Sequence, residues 1–347
     1  MDWTQYQQKI LTGVAGGAGP DVFSFYSVDV APWAAKGLLS PLDGHVNRAD
    51  FDANALDNGL WDGKVYAVPM GMKIRAFYYR KDFLKEAGIA RAPQTWDEMR
   101  EAATKMVKRD AAGNITRVGF WMPTSHPYKT AQVWLAFLWG NGGEVFDPTG
   151  KKAAFNSPEG VESAQFLGDL INKAKVDKPG TIKLDNTDFM QGKVAMLVSN
   201  IATRGLLRDR PDLKDQVGIA APPMAKKRVV ELSGEMFGIA QSSRQKEAAA
   251  KLLAYLASRD VVVKYNQVDD NIPGLKAAMD SDYVRSNPFV SQFIEIAKVG
   301  RPLPKHPRWS EVSSVLTTAL DEVLLKGRPA KEALDAAAQK VNGLLAQ

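Results

Sequence analysis

Between Leu60 and Ile89 the chain reads L-W-D-G-K-V-Y-A-V-P-M-G-M-K-I-R-A-F-Y-Y-R-K-D-F-L-K-E-A-G-I, and the proline in its apolar middle restricts what that run can become. Lys64 to Val68 alternates polar and apolar residues, as a half-buried strand does. Pro69 has no N–H to give a ladder, so the strand must stop there or lie at a sheet edge. Asp62-Gly63 just before it favours a tight hairpin turn. Gly71 just after it lets backbone approach another surface. Ile74 to Tyr79 is a second β-rich run, and Asp82 can cap a short helix that Gly88 ends.

At 347 residues the chain exceeds a usual single core, which predicts two domains. A formal charge of +6 is mildly basic, but Lys and Arg are scattered among Asp and Glu along amphipathic helices. That is the pattern of a solvated surface, and no nucleic-acid partner is expected. No run approaches the roughly 18 apolar residues of a membrane helix. The absence of cysteine excludes disulfides, thiolate metal sites and cysteine nucleophiles. His45, His126 and His306 are isolated from each other and from metal-ligand spacing, and neither a phosphate-binding G-x-x-x-x-G-K-[ST] loop nor a G-x-S-x-G elbow occurs. No metal and no cofactor are expected.

In order, Trp3, Tyr6, Ile10, Leu11 and Val14 predict an amphipathic opening helix, and Val22–Tyr26 a short buried strand. Asp29 can cap a helix ending near Gly37. Thr95 with Glu98 forms a capping box for a helix to Lys108, and 117–121 reads as a strand. Trp134, Phe137 and Leu138 fit a buried helix face. Trp121 and Tyr128 have no such periodic explanation, so packing and binding both stay open for them. Two amphipathic helices, split by Gly327-Arg328-Pro329, close the chain.

W-D-G-K-V-Y-A-V-P, F-Y-Y-R-K-D-F-L-K-E-A-G-I and A-P-Q-T-W-D-E-M (92–99) recur here with F-N-S-P-E-G (155–160) and F-M-Q-G-K-V-A-M-L-V (189–198). In that order the segments resemble family 1 extracellular solute-binding proteins, the receptors of ABC importers, over essentially the whole chain. The resemblance implies an α/β fold of the two-lobed periplasmic-binding-protein type II. Each lobe would be a mostly parallel sheet flanked by helices, residues 1–118 with 236–300 and 119–235 with 301–347, joined by hinge crossings.

It further implies a monomeric, non-catalytic receptor, periplasmic or extracellular and membrane-associated. Such a receptor grips a sugar or oligosaccharide in the cleft between lobes and passes it to ABC permease subunits. The residues implied as ligand-binding are Tyr26, Met70, Gly71, Trp121, Tyr128, Asn200, Arg204, Gly234, Glu235, Asn271 and Trp309. Rings stack on the apolar faces of sugars, and fixed polar groups select their hydroxyls. Trp121 and Trp309 are expected to matter for binding and little for stability. Arg75 is expected to pair with an acid inside the first domain.

Two rival readings stand beside this one. A glycerol phosphate ester would lean on Arg204, and a glycoside-active enzyme would need two carboxylates, but nothing in the sequence pairs Asp21, Asp29, Asp62 or Glu235. One departure from the family stands out. Its opening strand-helix-strand is not found before 22–26, and Met1-Asp2-Trp3-Thr4-Gln5 lacks an export signal, so a chain shortened at its start is expected.

Overall fold

The computed structural model describes residues 3–126, 129–182, 185–200, 207 and 210–346. Its strands in chain order are β1 (Val22–Tyr26), β2 (Leu60–Trp61), β3 (Lys64–Val65), β4 (Val68–Ile74), β5 (Ala76–Arg80), β6 (Lys108–Arg109), β7 (Ile115–Arg117), β8 (Met196–Ser199), β9 (Val217–Ala220), β10 (Val230–Ile239), β11 (Ile272–Pro273) and β12 (Gly300–Pro302). The chain divides into two compact units, each built from two stretches. Met1–Ile74 joins Leu232–Trp309 in the first, and Arg75–Glu231 joins Ser310–Gln347 in the second.

The first exchange between the stretches falls at Ile74/Arg75, where the resemblance implies 118/119. The reason lies in the ladders. β5 follows β4 after a single residue, yet its backbone bonds go to β8 and β9, deep in the second stretch. The last exchange is later than expected, at Trp309/Ser310.

In the first unit the strands run β1-β10-β4-β11, with β12 also on β10. In the second they run β8-β5-β9. The pairs β1–β10, β10–β4, β4–β11, β5–β8 and β5–β9 are all antiparallel, where mostly parallel sheets were expected. The chain leaves the first unit along β4 and returns along β10 beside it, so outgoing and incoming strands run in opposite directions. Among the described residues, parallel contacts occur at single bridges such as Val118↔Val194 and Trp121↔Leu197.

Local chemistry accounts for many of the boundaries. Asp62 and Gly63 take φ of 47° and 73°, the left-handed pair that closes the β2–β3 hairpin. Thr95 accepts the Glu98 N–H at 3.3 Å and starts the helix Trp96–Met106, while the Glu98 carboxylate accepts the Gln94 N–H at 2.6 Å. Ser157 caps Pro158–Asn172 with proline in its first turn. Asp82 lies in the first turn of Lys81–Glu86 rather than at its cap, which is Arg80.

Each unit has its own core. The first packs Phe23, Phe25 and Trp33, the last two stacked at 5.1 Å. A second cluster there gathers Leu42, Val65, Val68, Met70 and Val262. The second unit stacks Trp96 on Phe166 at 4.7 Å and buries the predicted helix face of Trp134, Phe137 and Leu138. The Trp134 indole N–H donates to Ser163 Oγ at 2.8 Å, so burial leaves no orphan donor there.

Candidate binding site

Tyr26 pairs with Glu235, Glu235 with Gly71, and Gly71 with Pro273. Four strands of the first unit thus contribute one residue each to a single row across the sheet. The register of β10 slips between Glu235 and Met236. Such a bulge kinks a strand and re-aims the side chain beside it, a common device next to functional sites.

Glu235 is only 9% exposed, and both its oxygens are engaged. Lys73 Nζ lies 2.7 Å from Oε1, and the Tyr265 hydroxyl donates to Oε2. The same ammonium stands 5.7 Å above the Tyr26 ring. The row therefore presents an aromatic face beside a carboxylate, an ammonium and a phenol, with Lys73 and Glu235 cancelling in charge.

Two glycines permit this density. A Cβ at Gly234 would lie 2.6 Å from Met72 Sδ and 2.8 Å from Gly71 O. One at Gly71 would lie 2.8 Å from Asn266 Oδ1. The Gly234 N–H donates to Ser27 Oγ at 3.2 Å, which ties the row to the residue after β1.

Of the residues named from sequence, Tyr26, Gly71, Gly234 and Glu235 come together here. Asn271 is close by but 0% exposed, its side-chain amide packed toward Gly71. Met70 is a correction. Its side chain is 1% exposed within the Leu42–Val65–Val262 cluster, because alternation along β4 turns it to the core.

Lys73 and Tyr265 escaped the sequence reading. Lys73 could have been found, since it lies two residues past Gly71 on the same strand. Tyr265 could not, because only the fold brings the helix Arg259–Asp269 to Glu235.

The second unit holds the other candidates. Trp121 is half-buried and anchored by its own N–H to Met196 O at 2.9 Å. Asn200 follows β8, and its carbonyl accepts the Tyr78 hydroxyl at 3.1 Å. Tyr128 and Arg204 lie outside the described residues.

Trp309 is a further correction. It opens the helix Trp309–Lys326 and is 2% exposed, so its ring is packed inside the protein rather than presented to a sugar. Arg75 pairs with Glu231 at 3.1 Å, as an acid partner was expected, but both belong to the second unit.

A family model described as bacterial extracellular solute-binding protein matches residues 1–263. A Brucella abortus chain described only as a binding protein is 27% identical over 350 residues, covering 98% of this chain and 83% of that one. An ABC transporter solute-binding protein of Thermotoga lettingae, solved with α-D-tagatose, is similar at a TM-score of 0.86 and 27% identity. That similarity covers 99% of this chain and 89% of the other. A maltose-bound MalE3 of T. maritima gives a TM-score of 0.83 at 27% identity over 98% and 89%.

Proposed function

The chain belongs to the bacterial extracellular solute-binding protein family, and from that premise we propose that it is the receptor of an ABC importer for a neutral sugar or polyol. The observation that carries this reading is the row of Tyr26, Glu235 and Gly71 with Lys73 and Tyr265 around the carboxylate. A ring face suits the C–H face of a sugar. A carboxylate, ammonium and phenol already fixed by one another suit its hydroxyls, because a group held in place loses little entropy on binding. The cancelled charge of Lys73 and Glu235 favours a neutral guest over an anion. Tagatose and maltose, the guests of two similar proteins, support the same class.

Trp121 and Asn200 are the second unit's own candidates for contact with sugar, to be tested separately. The receptor works as a monomer outside the cytoplasmic membrane, hands its solute to permease subunits and catalyses no reaction. Thermal-shift screening in phosphate-free buffer against sugars, polyols and sugar phosphates tests the ligand class. Stabilisation by neutral carbohydrates is expected. Stabilisation by phosphate esters alone would replace this reading with the glycerol-phosphate one, and release of reducing ends from oligosaccharides would replace it with an enzyme.

A further inference from the structure

A surface pocket of about 520 Å³ lies in the second unit where β5 runs into the helix Lys81–Glu86 and the loop beyond it. Its walls include Tyr79, Lys81, Leu84, Lys85, Ile89 and Arg91. Lys81 and Lys85 are four residues apart on one helix, so they project from the same face, and like charges so placed destabilise the helix unless something neutralises them. Among the described residues neither ammonium has an ion-pair or side-chain hydrogen-bond partner.

Three acids on that helix and the segment after it, Asp82, Glu86 and Glu98, are committed elsewhere. Asp82 is engaged by Arg80 at 2.6 Å, and Glu86 by Lys108 and Arg117. Glu98 is held by both Arg91 amino groups at 3.0 and 2.6 Å, so Arg91 brings its own counter-charge. Two positive charges are left facing the pocket uncompensated.

The opposite wall is rigid. Tyr79 stacks on Phe77 at 6.0 Å between centroids, and its ring lies so tightly on β9 that a Cβ at Gly218 would come within 2.1 Å of it. Burial pushes the Tyr79 phenol above its ordinary range, so it stays a neutral donor. Leu84 and Ile89 add apolar surface.

We propose that this pocket binds a small organic phosphate, its anion between Lys81 and Lys85 and its apolar part against Tyr79, Leu84 and Ile89. A phosphate monoester carries close to two negative charges at neutral pH, which matches the two unanswered ammonium groups. The site is separate from the sugar row of the first unit and stands whether or not that reading holds.

Calorimetric titration of the full chain with phenyl phosphate at low ionic strength tests it. Saturable one-to-one binding is expected, weakened at least tenfold in Lys81→Gln/Lys85→Gln. Both lysines are exposed, so the double variant keeps its fold, and its thermal response to neutral sugars should equal that of the parent. Absent binding, or equal binding by the double variant, would overturn the proposal. So would association with vesicles of anionic phospholipid without binding of free phenyl phosphate.

Discussion

At position 71 a methyl group has no room: besides Asn266 Oδ1 at 2.8 Å it would meet Asn271 Nδ2 at 3.2 Å, and both amides are fully buried. Asn266 is pinned, its Nδ2 donating to Met70 O at 2.8 Å and Val262 O at 2.7 Å, so it cannot swing aside. Gly71→Ala should therefore cost about 1–3 kcal/mol, read from the urea midpoint. An unchanged midpoint would show that the amides can yield.

Asp177 supplies a pH test. It is 4% exposed, and burial pushes its carboxyl from 3.8 to about 7. Between those values the folded chain holds a proton that the unfolded chain has released, so this group's contribution to stability falls as pH rises from about 4 to 7. Asp177→Asn should remove a slope of up to about 1.4 kcal/mol per pH unit, seen by comparing urea unfolding of the two chains at pH 4.5 and 7.5. Parallel pH profiles would contradict it. Asp29, also pushed up to about 7 by burial, keeps part of the slope in both chains.

Among the elements, those set by local backbone chemistry were legible in the sequence. The Asp62-Gly63 hairpin, the Thr95 cap and the opening helix Trp3–Ala15 follow from dipeptides and spacing, and they are where those signals put them. What was not legible is which strand an element pairs with. β5 reads like a neighbour of β4, yet its ladder partners lie about 120 and 140 residues further along, and no property of A-F-Y-Y-R announces them. The same lack of local signal hid the antiparallel pairing and the approach of Tyr265 to Glu235.

Trp309 shows the converse error. The resemblance implied a ring that stacks on a sugar, but a helix begins on the indole, which is 2% exposed. Trp309→Ala should therefore destabilise by about 3–5 kcal/mol, visible as a lowered melting temperature, and not only weaken binding. A variant that melts with the parent would restore the sugar-stacking reading.

For the whole molecule, the two interleaved units exchange at the end of β4 (Ile74/Arg75), inside β10 (Glu231/Leu232) and at the start of the helix Trp309–Lys326 (Trp309/Ser310). Length alone predicts two units, and their discontinuous make-up is what the family resemblance implies. Within the first unit the groups that converge on Glu235 are balanced in charge and flanked by a ring, and the proposal of a neutral guest rests on that balance.

Calorimetric titration with the neutral carbohydrate that most raises the melting temperature tests this most directly, run on the parent chain and on Tyr26→Ala. Saturable one-to-one binding by the parent, weakened at least tenfold in the variant, is the predicted result. Heat from charged solutes alone, or equal affinity in the two chains, would contradict it.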